Sequence, residues 1–260
     1  MSKRRIAIAV TAISVILMVC YELFLGDVIF SSLDESVRSL VDMTVTRSLG
    51  AAVFITILVY LEFKVLNPIK APLFKSFLFC LPAFAVAINN FPFSCMAKGI
   101  AVVDAPVKKI VLLGFQCVGV ALFEEMAFRG VIFLGFAEKR RSRLGLFISI
   151  ILSSAVFAAV HLLNIFTSSP IAVIMQIGYS FLIGGMCSVI LLKTKNIWLC
   201  VAVHAVFNFG GAIVATCGHG EIWDTFTVIF TAVLAVVTFV YMLVAFIKLD
   251  VSSTYDIYKK

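Results

Sequence analysis

Residues 110–137, IVLLGFQCVGVALFEEMAFRGVIFLGFA, form an apolar run that is long enough to decide the class of fold. A helix needs about 20 apolar residues to cross the hydrocarbon core of a bilayer. This run interrupts its apolar residues with two adjacent acids, Glu124 and Glu125, and one base, Arg129. It therefore predicts a membrane-spanning helix that carries charges inside the membrane.

The composition of the whole chain agrees with a membrane protein. Of its 260 residues, 62% are hydrophobic and 13% are charged, whereas a soluble globular chain has about 45–50% apolar and a quarter charged residues. An ordinary soluble enzyme, a disordered tail and a disulfide-rich secreted module are excluded. The apolar runs are long and unbroken, which favours helices over a transmembrane β-barrel. We expect an all-α polytopic bundle that forms a single integral membrane domain over residues 1–260.

Eight segments of the sequence are candidate membrane spans. They cover roughly residues 6–25, 48–63, 74–90, 109–137, 146–163, 171–192, 197–216 and 223–247. Fifteen of the 21 Lys and Arg residues fall in segments on the side of the N-terminus, five fall on the opposite side, and Arg129 lies within a span. Because cytoplasmic loops are rich in Lys and Arg, both termini are predicted to be cytoplasmic. The net charge of +7 is explained by these loops, so we expect no nucleic-acid partner.

The three charges of the fourth span differ in their spacing. Glu125 and Arg129 are four residues apart, so they share one face of a helix and can form an ion pair. Glu124 is rotated by about 100° from Glu125 and has no obvious partner on its own helix. A charge inside a membrane is costly and is a functional candidate by default, and an unpaired carboxylate suits general acid–base catalysis. The alternative is an ion cluster that only holds helices together.

Two of the three histidines fall in predicted spans. His161 ends the fifth span, and His204 lies in the seventh with Asn208 one turn later on the same face. Each histidine could alone be a helix–helix hydrogen bonder, but together with Glu124 they offer a base, proton shuttles or metal ligands, and an amide donor for an oxyanion. Counting from the predicted span ends puts Glu124 about 20 Å deep, His161 about 24 Å and His204 only about 10 Å.

The seven cysteines show no CxxC pattern and no Cys/His metal-ligand spacing. Most lie in apolar runs, where a thiol behaves as a small hydrophobic side chain. Cys95 and Cys217 lie in predicted loops, so a disulfide between them is possible.

Three short motifs resemble the CPBP family, which comprises CAAX prenyl endopeptidases and bacteriocin-processing intramembrane proteases (Abi-type). The family pattern EExxxR is present as Glu124-Glu125-x-x-x-Arg129, FxxxH as Phe157-x-x-x-His161, and HxxxN as His204-x-x-x-Asn208. The three motifs occur in order, each on its own span, and the resemblance covers about residues 72–216.

The resemblance implies an intramembrane endopeptidase of eight helices in a bacterial plasma membrane, acting in the bilayer on a prenylated, leader-peptide or other membrane-bound substrate. Glu124 would activate water, His161 would help to hold it, and His204 and Asn208 would stabilise the oxyanion. Glu125, Arg129 and Phe157 would support these residues. Members of the family are described as metalloproteases, and a glutamate mechanism without metal has also been proposed. The cofactor is therefore a divalent metal such as zinc, with His161, His204 and Glu124 as its ligands, or none.

Two other classes of function are compatible with the same residues. A non-catalytic membrane interaction, such as self-immunity against a bacteriocin, would use the motifs as a structural cluster. A proton-coupled transporter would use Glu124 and the histidines as a relay, although the chain shows no repeats and no paired discontinuous helices.

Overall fold

The computed structural model describes residues 3–25, 29–67, 72–166 and 168–258, and it is almost entirely helical. The helices are α1 (Lys3–Phe24), α2 (Glu35–Tyr60), α3 (Leu73–Asn89), α4 (Phe93–Ala97), α5 (Val107–Ala137), α6 (Arg143–Val160), α7 (Pro170–Thr194), α8 (Ile197–Cys217), α9 (Thr225–Ile247) and α10 (Val251–Thr254). The 3₁₀ segments His161–Phe166 and Tyr255–Tyr258 follow α6 and α10. Two short strands are β1 (Ala101–Val103) and β2 (Gly218–Gly220).

In the described ranges, six helices are long and apolar enough to cross a membrane, namely α2, α5, α6 (with its 3₁₀ extension), α7, α8 and α9. The helical membrane bundle is confirmed, but the predicted count of eight spans is not. The first candidate contains a shorter apolar stretch, Ala9–Met18, and α3 has 17 residues, about 26 Å of helix against a hydrocarbon core of about 30 Å.

The second predicted span begins earlier in the structure than hydropathy indicates. Helix α2 starts at Glu35, 13 residues before the predicted start at residue 48. Its first half carries Arg38, Asp42 and Arg47, which lower the hydropathy of that part without breaking the helix. The Asp42 carboxylate is buried and accepts a hydrogen bond from the Tyr21 hydroxyl of α1. This polar contact between two helices stabilises the first half of α2, which hydropathy does not identify as part of a span.

Helix α5 lies at the centre of the bundle. It packs against α2 and α8, α6 packs against α7, and α3 packs against α8 and α9. The segment Glu125–Phe133 buries eight of its nine residues, whereas α9 has four buried residues among its 23. The chain has more apolar side chains than a globular core could bury. The excess lies on the outer helices such as α9, where these side chains face lipid.

A small antiparallel sheet closes one end of the bundle. β1 pairs with β2 in the register Ala101 with Gly220 and Val103 with Gly218. A Cβ on Gly218 would lie 1.8 Å from the carbonyl oxygen of Val102, and Gly220 has a φ of +108°. Both strand ends therefore require glycine.

Cys95 and Cys217 both lie near this sheet. They are buried and free, so the structure contains no bridge between them.

Candidate active site

The motif Glu124-Glu125 lies where the backbone of α5 changes its hydrogen-bond pattern. Residues Val107–Glu124 are α-helical, Glu125–Phe133 are π-helical, and Leu134–Ala137 return to an α-helix. The sequence-based helical positions assumed a regular α-helix, and that assumption is wrong from Glu125 onward. Single π-helical turns are rare and often occur at functional sites.

The side chain of His204 lies between the two carboxylates. Its Nδ1 is 2.7 Å from Oε1 of Glu125, and its Nε2 is 3.4 Å from Oε2 of Glu124. His204 and Glu125 are buried, whereas the side chain of Glu124 is 18% exposed. One imidazole ring on α8 therefore connects a buried carboxylate with one that solvent or substrate can reach.

Glu125 and Arg129 form the ion pair that their spacing predicts. Nη1 of Arg129 lies 3.1 Å from Oε1 of Glu125, and both side chains are at most 1% exposed. The contact lacks the directionality of a hydrogen bond, so Nη1 and Nη2 of Arg129 have no hydrogen-bond acceptor within the described part of the chain. The guanidinium is instead stabilised by the ring of Phe157, whose centroid lies 4.1 Å from Cζ.

Phe157 is the common neighbour of the cluster. Besides Arg129, its ring contacts His161 with a centroid distance of 5.1 Å and His204 with one of 5.9 Å, both edge to face. It also contacts Phe128 of the π-helical segment, with a centroid distance of 4.9 Å. The first residue of the FxxxH pattern thus contacts both histidines and the buried guanidinium of Arg129.

His161 contacts the same Phe157 ring that His204 contacts. Its Nδ1 is 2.9 Å from the carbonyl oxygen of Phe157. A carbonyl only accepts, so this nitrogen carries the proton and Nε2 of a neutral ring is free to accept. No hydrogen bond or ion pair joins His161 to Glu124 or His204 in the described structure.

Asn208 is half-buried on α8, one turn after His204. Its side-chain amide forms no hydrogen bond to another described residue. A half-buried amide with two unused N–H groups is available to a ligand. The backbone beside it is fixed from another helix, because Nδ2 of Asn90 donates to the carbonyl oxygen of Phe207 over 2.7 Å.

The hydrogen-bond roles of His204 follow from its partners. The Glu125 carboxylate, paired with a guanidinium, acts as an acceptor, so Nδ1 of His204 carries a proton and donates it. Nε2 then faces Glu124 and can exchange a proton with that carboxylate. The arrangement is a carboxylate that orients a histidine, which in turn faces a second carboxylate.

The predicted metal ligands do not assemble into one coordination sphere. A metal requires ligand atoms that converge on one point, and the ligand atoms of Glu124, His161 and His204 do not all lie within 4.8 Å of one another. As placed here, the three side chains do not fit a shared cation.

Sequence reasoning missed a polar contact between the 3₁₀ segment after α6 and the start of α7. Nδ2 of Asn164 donates to Oε1 of Gln176 over 2.8 Å. Amide side chains in or next to apolar spans were the signal available in the sequence. This hydrogen bond joins the segment that begins with His161 to α7.

Comparison with known proteins agrees with the three motifs. Residues 106–210 match the family model described as type II CAAX prenyl endopeptidase Rce1-like. No curated protein and no solved structure matches the chain. The matched region begins just before α5, ends within α8 and contains all three motifs. Residues 106–210 of this membrane protein are therefore similar to the Rce1-like type II CAAX prenyl endopeptidases, in agreement with the resemblance that the three motifs carry.

Proposed function

We propose that the protein is an intramembrane endopeptidase that hydrolyses a peptide bond of a membrane-associated or lipidated substrate, with Glu124 as the base that activates water. The observation that carries the proposal is the position of His204, whose two ring nitrogens face Glu125 at 2.7 Å and Glu124 at 3.4 Å. A purely structural ion cluster would need only Glu125 and Arg129.

In the proposed reaction, Glu124 removes a proton from a water molecule, and the water oxygen attacks the carbonyl carbon of the peptide bond. The carbonyl oxygen becomes an oxyanion as the tetrahedral intermediate forms. The proton held by Glu124, exchanged with Nε2 of His204, passes to the nitrogen of the leaving amine when the carbon–nitrogen bond breaks. Water is consumed, and a carboxylate and an amine are released.

Asn208 and His161 are the proposed partners of the oxyanion and the water. The amide of Asn208 is half-buried and unused, so it can donate to a developing negative charge. Nε2 of His161 is free because Nδ1 is bonded to Phe157, so it can accept a hydrogen bond from the water. No step in this scheme passes through a metal.

Glu125, Arg129 and Phe157 are proposed to position His204 rather than to touch the substrate. Glu125 fixes the orientation of the imidazole by accepting from Nδ1. Arg129 balances the charge of Glu125, and Phe157 packs against both Arg129 and His204. Fixing the ring in this way corresponds to the support that surrounds the reacting groups in other enzymes.

The test is cleavage of a defined peptide by the purified full chain in liposomes. The substrate is a peptide with a prenylated C-terminal cysteine motif, and mass spectrometry of the products identifies the hydrolysed bond. We expect wild-type protein to cleave it and the E124Q variant to lose the activity, whereas E221Q, which changes an exposed glutamate, retains it. Equal cleavage by wild type and E124Q would contradict the assignment.

A second substrate class is tested in the same assay. A leader peptide of the kind found on bacteriocin precursors replaces the prenylated peptide. Cleavage of the prenylated peptide alone assigns the protein to lipidated substrates, and cleavage of the leader alone assigns it to peptide maturation. If neither is cleaved while Glu124 is still needed for a cellular phenotype, the endopeptidase proposal fails for both classes.

A further inference from the structure

Two cysteines lie beside Glu125, outside the group that the proposed reaction uses. Cys187 on α7 and Cys200 on α8 are both fully buried, and Cys200 Sγ donates to the carbonyl oxygen of Cys187 over 3.2 Å. The two sulfur atoms and a carboxylate oxygen of Glu125 all lie within 4.8 Å of one another. We call these three side chains the thiol cluster. It joins α5, α7 and α8.

Only one of the two carboxylate oxygens of Glu125 has a polar partner among the described residues. Its Oε1 contacts both His204 and Arg129, whereas its Oε2 is buried and has no hydrogen-bond donor among the described residues. A buried acceptor without a partner is unfavourable, because it has lost its hydrogen bonds to water. Both sulfur atoms lie within 4.8 Å of a carboxylate oxygen of this residue, so a cation bound by all three side chains would give the carboxylate a further partner.

The charges of the cluster permit a cation without a net buried charge. At present the charge of Glu125 is balanced by Arg129, and Cys187 and Cys200 are neutral thiols. A divalent cation that displaces the two thiol protons adds two positive charges and creates two thiolates, so the net charge of the site is unchanged. This balance matters because an uncompensated charge in an apolar interior is strongly unfavourable.

We propose that Glu125, Cys187 and Cys200 bind one soft divalent cation of the Zn²⁺ class. Two thiolates and a carboxylate are ligands of the kind that zinc binds, with Zn–S distances of about 2.3 Å and Zn–O distances of about 2.0–2.2 Å. Cys80 on α3 is also fully buried and belongs to the same hydrophobic core as Cys187 and Cys200.

The cation would act as a cross-link between helices. Glu125 begins the π-helical segment, and Cys187 and Cys200 lie on two consecutive helices, so one ion would tie three elements of the core. The site is distinct from the set Glu124, His161 and His204, and its occupancy does not depend on whether the protein is a peptidase. Binding and stability are therefore the readouts, and activity is not needed.

The experiment uses the full chain, purified in detergent under reducing conditions and stripped with a chelator. Co²⁺ is titrated as a spectroscopic probe, Zn²⁺ is measured by elemental analysis, and proton release is followed with a pH indicator. We expect one cation per chain, a near-ultraviolet sulfur-to-Co²⁺ charge-transfer band, release of at least two protons per cation, and a rise in melting temperature.

Serine variants give the matched comparison. The C187S/C200S double variant should lose the charge-transfer band and the rise in melting temperature, whereas C117S, which changes a buried cysteine elsewhere on α5, should keep both. Absence of the charge-transfer band in the wild-type protein, or the same binding in the C187S/C200S variant, would overturn the proposal. If that variant does not fold, the wild-type stoichiometry and proton count decide the question.

Discussion

Two ion pairs of this protein have opposite surroundings. Glu125 and Arg129 are at most 1% exposed inside α5, while Lys98 and Asp224 pair beside the start of α9 with Lys98 54% exposed. In the outer pair the Lys98 side chain is exposed, and Asp224 also accepts from Ser94 and Thr227, so loss of the pair is partly compensated. The inner pair is shielded from solvent, and its carboxylate also bonds to His204. The outer ion pair therefore stabilises the start of α9, whereas the inner ion pair supports the candidate catalytic residue His204.

Removal of one inner partner is expected to have the largest effect on stability. The R129M variant leaves the Glu125 carboxylate buried without its cation, which should lower the free energy of unfolding by about 3–5 kcal/mol. The E125Q/R129M double variant removes both charges and should be less destabilised than R129M alone. Thermal unfolding in detergent measures both, and equal destabilisation by the single and double variants would contradict the role of charge pairing.

The ring of Phe157 beside Arg129 allows a second test of how the inner pair is stabilised. The F157L variant keeps an apolar side chain but removes the ring that stabilises the guanidinium, and a desolvated cation–π contact is worth about 2 kcal/mol. F133L is the matched control, since Phe133 is also fully buried and none of the described Lys or Arg side chains lies over its ring. We expect F157L to melt below F133L. Equal melting temperatures would mean that the ring only fills space.

Two glycines of α7, Gly184 and Gly178, differ in how closely their surroundings pack. Because no charge is involved, we expect smaller effects on stability here. A Cβ on Gly184 would lie 3.0 Å from Oγ and 3.2 Å from Cα of Ser154, whereas Gly178 has nothing within 4 Å. The G184A variant should cost about 1–3 kcal/mol of unfolding free energy through overpacking, and G178A should be nearly neutral. If both variants melt like the wild type, the two helices are less closely packed than the structure describes.

The outer pair should show the smallest effect and a clear dependence on pH. Lys98, Ser94 and Thr227 all donate to Asp224, and these hydrogen bonds hold the pKa of its carboxyl well below the usual range. Since the folded pKa is lower than the unfolded value of about 3.9, the stabilisation is present above that value and is lost as the pH falls toward the folded pKa.

The D224N variant tests this predicted direction of the change in stability with pH. At neutral pH it should melt below the wild type, by less than R129M does, and the difference should shrink as the pH is lowered below about 4. Melting curves recorded against pH make the measurement. A difference that grows on acidification would contradict the assigned direction.

Much of the fold and part of the site could be predicted from the sequence. Hydropathy identifies the helical bundle, and the four-residue spacing predicts the pairing of Glu125 with Arg129, because both depend on local order in the chain. The family motifs predict that Glu124 and His204 share one site, whereas helix counting put the two residues about 10 Å apart in depth. In the structure Nε2 of His204 lies 3.4 Å from Oε2 of Glu124, so the depth count was the weaker guide.

The remaining features depend on tertiary structure. No local sequence pattern predicts the π-helical segment Glu125–Phe133, in which eight of nine residues are buried by packing against other helices. The thiol cluster has no CxxC spacing, because its ligands come from α5, α7 and α8 and meet only after packing. The early start of α2 depends in the same way on the Tyr21–Asp42 contact with α1.

The most direct measurement is the rate of peptide cleavage by the E124Q variant together with its melting temperature. Glu124 is partly exposed and is outside the inner ion pair, so its replacement by glutamine should leave the melting temperature close to that of the wild type. As the proposed base, it should contribute about 10²–10⁴-fold to the rate. A loss of rate of that size at unchanged stability is the predicted result. An unchanged rate in E124Q, with product still formed at the same bond, would contradict the central claim that Glu124 activates the water.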